Sequence, residues 1–314
     1  MGKGTGFGKV ILFGEHFVVH GVPGIVSAID LAAHAEVKKT GEGITIKDER
    51  KGAKSYTEKK RAQQKESIER MLKTMGIDLE KAFLEIRLGG DLPSFSGIGA
   101  SAASSVAIAR AIAEELEMIL SDGTINEIAY EAEKAYAGTP SGIDNTAATY
   151  GGLIWFRKNL SGGPNAIERL SIRKPIEIVI GNTGIVADTR KMVASVAERK
   201  KKNPEEYDPL FNQAERLAYE ARKALEDYDL KKVGRLMNEN HGLLQEIEVS
   251  CKELDYLINL ALDHGAFGAK LTGGGGGGCM LALTPRKELQ ETVATAMEKE
   301  GFKVLKTKIG VQRI

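Results

Sequence analysis

The sequence predicts an α+β protein of two domains, and three observations point there. The chain has 314 residues, about twice a usual domain of roughly 150. After residue 176 its pattern changes from short β-branched runs and Ala-rich helices to a series of amphipathic helices. Its tail then reads strand, glycine loop, strand, helix, strand, the pattern of a small sheet with helices on one face. The boundary falls near 175–185, dividing the chain into 1–178 and 179–314.

In order along the chain, Lys9-Val-Ile-Leu-Phe13 reads as a buried strand turned by Gly14 into Glu15-His16. Ile25–Ile29 and Ile44–Ile46 are further short β-branched runs. Residues 49–70 mix Lys, Arg and Glu and read as a solvated helix or surface excursion. Leu84, Ile86 and Leu88 alternate with Phe83, Glu85 and Arg87, which predicts a strand with one wet face. An Ala-rich helix spans about Gly99 to Leu120. A second opens on the capping box Thr124-x-x-Glu127 and stops at Gly138 and Pro140. Ile176–Ile180 is a strand, followed by helices at about 186–200, 209–227, 230–247 and 252–264. Asp208-Pro209 supplies an N-cap and a first-turn proline, and Gly265 a stop. The tail holds strands at 267–271, 279–284 and 302–309, with a helix at 286–300.

Composition narrows the function. Lys+Arg number 44 and Asp+Glu 43, and a formal charge of +1 leaves no footprint for nucleic acid or an anionic membrane. The two cysteines, Cys251 and Cys279, form no CxxC, which argues against a disulfide scaffold or structural zinc. No apolar run approaches the roughly 18 residues of a membrane span. Met1–Val10 carries no apolar signal core, and Gly6 stands where a myristoylation signal needs Ser or Thr, so the expected address is the cytoplasm.

Glycine, at 36 residues, is the informative excess. Pro93-Ser94-Phe95-Ser96-Gly97-Ile98-Gly99-Ala100-Ser101 places glycines and small residues directly before a long helix. The free N–H groups and partial positive charge of a helix start bind phosphate oxygens, and Ser101 offers a hydroxyl to an accompanying metal. No P-loop pattern occurs. The dinucleotide fingerprint is met formally by Gly97, Gly99 and Ala102, but eight residues separate Leu88 from Gly97 where a strand should enter the turn directly. The second segment, Leu271-Thr272 followed by six glycines and Cys279, lies between two apolar strands. Such a run is costly to order, and its use is close backbone approach to a ligand, a catalytic residue or another loop.

Phosphoryl transfer from ATP needs a phosphate cradle, a metal held by a hydroxyl and a carboxylate, and a group orienting the nucleophile. Gly97–Ser101, Glu133 and Asp144 can fill those roles, with Lys9 neutralising developing charge. Asp144 by itself also reads as half of a Ser141-x-x-Asp144 capping box for a short helix. His16 and His20, bracketed by Gly14 and Gly21, read as loop or substrate contacts rather than a metal pair, and His241 as an interior histidine.

Four ordered motifs carry a resemblance: Gly8–Gly21, Pro93–Ala103, Pro140–Asn145 with Tyr150–Gly152, and Lys270–Cys279. Together they resemble the GHMP small-molecule kinases along nearly the whole chain, and within them the mevalonate-phosphorylating branch, with motifs nearest the protozoan forms. The resemblance implies an N-terminal domain like the second domain of ribosomal protein S5 and a ferredoxin-like C-terminal domain. It implies ATP with Mg²⁺, mevalonate as the alcohol and, as is common in the family, a homodimer. Asp144 would be the catalytic base with Lys9 beside it, Ser101 and Glu133 would hold the metal, and Glu15 and His16 would lie by the substrate together with Asp144. The loop Ser94–Ser101, with Gly274 and Gly275, would serve the nucleotide. This chain has Gly6-Phe-Gly-Lys9 where members commonly have Ala-Pro-Gly-Lys, and Ala100 where they have serine. Kinases of the same family acting on phosphomevalonate, homoserine or a sugar, and a non-catalytic nucleotide sensor on this fold, are the alternative readings.

Overall fold

Glycines 2, 4 and 6 alternate, and in the computed structural model they extend the first strand to the start of the chain: β1 runs Gly2–Phe13. The structure describes residues 1–51, 53, 57–94, 97–138 and 140–312. Two compact units are assembled from interleaved segments. The first comprises Met1–Lys9, Asp30–Phe95 and Gly99–Gly151, the second Val10–Ile29, Ser96–Ile98 and Gly152–Ile314.

In the first unit, β2 (Gly24–Lys39, shared with the second unit) pairs antiparallel with β4 (Leu84–Gly90), and β3 (Ile44–Asp48) pairs parallel with β4. Between β3 and β4 lies α1 (Glu58–Thr74), which buries Ile68, Met71 and Leu72 while Glu58, Lys59, Arg61, Lys65 and Glu66 stay exposed. The predicted alternation in β4 holds, with Leu84, Ile86 and Leu88 in the core. Next come α2 (Ala100–Glu115), α3 (Asp122–Ala137) and α4 (Ile143–Tyr150).

The reason for the β1 glycines is α2. A Cβ on Gly2, Gly4 or Gly6 would stand about 2 Å (2.1, 2.0 and 2.1 Å) from the carbonyl oxygens of Ala111, Ala107 and Ala103. The period of two in the strand thus meets the period of four along the helix, and small residues on both sides let the backbones touch. The sequence reading missed this half of β1 because glycine lowers strand propensity.

In the second unit, β5 (Leu153–Arg157) pairs with Gly24–Ser27 of β2 and with β6 (Ala166–Leu170). β7 (Ile176–Asn182) is followed by α5 (Thr189–Lys202), α6 (Pro204–Glu226), α7 (Leu230–Glu246) and α8 (Lys252–Asp263). Then follow β8 (Gly268–Thr272), β9 (Cys279–Leu283), α9 (Lys287–Lys299) and β10 (Lys303–Ile309). The sheet order is β10-β7-β9-β8, every neighbouring pair antiparallel. Counted from β7, that is fourth, first, third, second, the ferredoxin-like order with four helices in place of the first one. β5 and β6 went unread; the apolar run Leu153–Phe156 was their signal.

Several ends differ from expectation. α2 stops at Glu115 rather than near Leu120, and Glu117 turns the chain with φ 56°. α3 is capped by Ser121, whose hydroxyl accepts from the Thr124 amide, so Thr124 lies inside the helix and caps nothing. α6 begins at Pro204, with Pro209 in its interior and Asp208 paired to Lys200. Pro209 is the sixth residue of α6, past the four amides that a helix start leaves free, so it forgoes the bond to the Glu205 carbonyl and marked the neighbourhood of the start and not its position.

Candidate active site

In the first unit, four predicted residues come together from four elements. Lys9, in β1, is buried, and its Nζ lies 2.9 Å from Oδ1 of Asp144 in the first turn of α4. Asp144 remains 37% exposed, so one side of the carboxylate is open to a reactant. It is not a cap. α4 opens on Gly142 in a left-handed conformation with no side-chain cap among the described residues, and Ser141 Oγ accepts from the Ile143 amide at 3.3 Å.

Ser101, in the first turn of α2, donates from Oγ to Glu133 Oε2 at 3.1 Å. Glu133 is buried on α3, and its Oε1 has no hydrogen-bond partner among the described residues. Burial, then the charge of Asp144, push the Glu133 carboxyl up to about 8, opposed by the Ser101 hydroxyl and Lys9. A carboxylate desolvated in this way gains most from a bound cation.

Gly99 caps α2 with φ 70°, and a Cβ there would lie 2.6 Å from Cγ of Lys9. This glycine therefore clears the Lys9 stem while it opens the helix N-terminus. Ala100 contributes its carbonyl, which accepts from Ser104 Oγ at 2.7 Å. Ser94 is buried and its carbonyl accepts from Lys60 Nζ at 3.0 Å. Phe95 and Ser96 lie outside the described residues.

In the second unit, Gly97 and the glycine loop meet. A Cβ on Gly97 would be 3.3 Å from Cys279, and one on Gly273 would be 3.5 Å from Gly97 Cα. Ile98 is fully buried. Gly274 packs on Thr189 and Gly275 on the Val249 carbonyl, so both glycines are required by close contacts of the loop with its own unit.

Glu15 and His16 are tied to the same loop. Glu15 forms an ion pair with Lys270, both fully buried. His16 Nε2 lies 3.0 Å from the Gly274 carbonyl. Burial brings the His16 imidazole down to about 4, and nearby His20 and Arg199 act in the same direction. It is therefore neutral and donates from Nε2 to that carbonyl. Phe17 seats the segment edge-on against Phe211 of α6, centroids 4.9 Å apart. The sequence reading gave Lys270 no role and did not single out Thr272, whose hydroxyl accepts from the Ile11 amide at 3.0 Å. A lysine inside the apolar run Gly268–Leu271 was the available signal.

Among the described residues no group of three or more His, Cys, Asp or Glu could hold a metal by itself. Ser101 and Glu133 nonetheless fit Mg²⁺, which is bound by one or two carboxylates plus substrate phosphates rather than by an all-protein cage. No helix among the described residues is long and apolar enough to cross a membrane.

Comparison with known proteins follows the same lines. Residues 64–152 match the family model of the GHMP kinases N terminal domain, and residues 221–303 that of the GHMP kinases C terminal. The chain is 34% identical over 321 residues to a mevalonate kinase of Thermococcus sibiricus, covering 96% of this chain and 94% of that one. It is likewise 34% identical over 322 residues to a mevalonate kinase of Pyrococcus abyssi, with 96% and 93% covered. Among solved structures, L. major mevalonate kinase in complex with R-mevalonate gives a TM-score of 0.91 at 37% identity, covering 98% of this chain and 96% of that one.

Proposed function

Because the chain belongs to the GHMP kinase family, we infer that it transfers the γ-phosphoryl group of ATP to the 5-hydroxyl of mevalonate, giving 5-phosphomevalonate and ADP. One contact carries the chemistry: Lys9 on Asp144, beside the buried Ser101–Glu133 pair. The Asp144 carboxylate accepts the proton of the attacking hydroxyl. The Lys9 ammonium lowers that hydroxyl's pKa and offsets the charge that develops as the O–P bond forms. The amides opening α2, with the loop Ser94–Ser101, receive the phosphates, and Gly274 and Gly275 support the nucleotide. Glu15 and His16 shape the substrate side, held in place by Lys270 and the Gly274 carbonyl.

Ser101 and Glu133 would hold Mg²⁺, an assignment supported by Glu133 Oε1, which is partnerless among the described residues. When bound, the ion would neutralise phosphate charge and orient the triphosphate. The two family-model matches fall on either side of 178/179, which supports an N-terminal domain over 1–178 and a C-terminal domain over 179–314. The near-neutral charge supports small molecules as partners rather than nucleic acid or a membrane, in a cytoplasmic setting. A homodimer is proposed from the family alone, and sedimentation of the purified protein would check it.

The test is an ADP-release assay of the purified chain across mevalonate, phosphomevalonate, homoserine and galactose. Turnover is expected with mevalonate, and its absence there would sink the substrate assignment. Asp144→Asn should cost roughly 10²–10⁴-fold in kcat while leaving ATP binding intact, as for loss of a general base. Unchanged turnover in that variant would remove Asp144 from the chemistry.

A further inference from the structure

Among the neighbours of the polyglycine loop is the turn that ends α7, joined to it by a backbone hydrogen bond from the Gly276 amide. α7 ends in a Schellman motif, with the Glu248 amide on the Gln245 carbonyl at 2.8 Å and the Val249 amide on the Leu244 carbonyl at 3.1 Å. The residue at its left-handed position is Glu248, with φ 58°, where glycine is usual. A β-carbon at such a position is unfavourable and persists only where the surroundings fix it.

They fix it from two sides. Arg199 on α5 donates to the Ile247 carbonyl at 2.7 Å, and is itself held by Tyr207 Oη at 2.8 Å and by Ser195 Oγ. On the other side, Asp255 in the first turn of α8 accepts at one oxygen from Ser250 Oγ at 2.6 Å and from His241 Nε2 at 3.0 Å. Burial lowers the His241 pKa, so the ring is neutral, and the acceptor-only carboxylate assigns its proton to Nε2. The turn so fixed presents the Val249 carbonyl, which accepts from the Gly276 amide at 2.9 Å. A Cβ on Gly275 would come within 2.0 Å of that oxygen.

We propose that the turn Ile247–Ser250 braces the polyglycine loop, and that Arg199, His241 and Asp255 act through it as positioning residues for ATP. The inference rests on the assignment of Gly274 and Gly275 to the nucleotide made above. None of the three is assigned a contact with a reactant.

Arg199→Met and Asp255→Ala test it, with Asp255→Asn as the conservative variant, since its amide oxygen still accepts from Ser250 and His241. Ser250→Ala replaces Asp255→Ala if that protein does not fold. Hydrogen exchange of the 273–278 amides and the two KM values are measured on the full-length protein. Loop exchange is expected to rise and the ATP KM to increase roughly tenfold, the scale of one lost charge-assisted hydrogen bond, with Asp255→Asn near wild type. The mevalonate KM should stay within about twofold, because a brace on the nucleotide side alone has no uniform effect on substrate binding. Unchanged loop exchange overturns the brace, and raised exchange with an unmoved ATP KM overturns the positioning role. A wild-type protein that does not phosphorylate mevalonate strikes the functional reading instead, and the exchange measurement still decides the brace.

Discussion

Gly99 shows how one residue can serve two demands, opening the N-terminus of α2 with φ 70° and leaving room for the Lys9 stem. Gly99→Ala is expected to displace Lys9 from Asp144 and lower kcat roughly 100-fold, the scale of a 1 Å misplacement, measured with saturating ATP and mevalonate. A kcat within a factor of two of wild type would show that the Lys9 position is not limiting. Glu133 makes a second prediction. Its folded-state pKa of about 8 stands above the ordinary value of 4.5, so the folded state holds that proton more tightly than the unfolded chain. The resulting stabilisation is complete below 4.5 and is lost as pH rises through about 8. In ligand-free protein, wild type should therefore lose stability relative to Glu133→Gln between pH 5 and pH 8, measured by urea unfolding. Parallel curves for the two proteins would contradict it. Lys9, Ser101 and Asp144 lie in motifs that drew attention to them in the sequence, whereas Glu133 lies in none and was given its role only through the family resemblance. The Glu15–Lys270 pair was not legible, since 254 residues lie between the two and no local pattern reports so distant a partner.

At the scale of elements, periodicity revealed most helices and strands, while their ends escaped it. Ser121 outranked Thr124 as a cap because a cap is set by backbone geometry at the helix entrance, and both residues carry a suitable hydroxyl. The first half of β1 was unreadable for another reason: its glycines record contact with α2, a partner about a hundred residues away. Gly4→Ala would drive a methyl to 2.0 Å from the Ala107 carbonyl oxygen and 2.7 Å from the Ala111 amide nitrogen. Since both are backbone atoms, strand or helix must shift, and a loss of about 1–3 kcal/mol is expected in urea unfolding. Lys3→Ala on the neighbouring wet position should stay within about 0.5 kcal/mol. Equal effects of the two changes would mean that the close approach carries no energetic weight.

For the whole molecule, a small sheet with helices on one face was foreseeable from the tail and its ferredoxin-like order only through the family resemblance, but the way the chain is shared between the compact units was not. The second unit takes Val10–Ile29 and Ser96–Ile98 in addition to Gly152–Ile314. A fragment of residues 179–314 would lack β5, β6, the first three residues of β7 and the start of β2. It is expected to show no cooperative thermal unfolding by circular dichroism, whereas the full chain should; a sharp transition in the fragment would refute this. Heredity adds a consequence of the six-glycine run. Repeated glycine codons are prone to gain or lose a unit when a gene is copied, and such an allele would look harmless on paper. Yet Thr189, Val249, Met192 and Ile185 each meet a different member of the run, so shortening it by one would present every later neighbour with the wrong backbone atom.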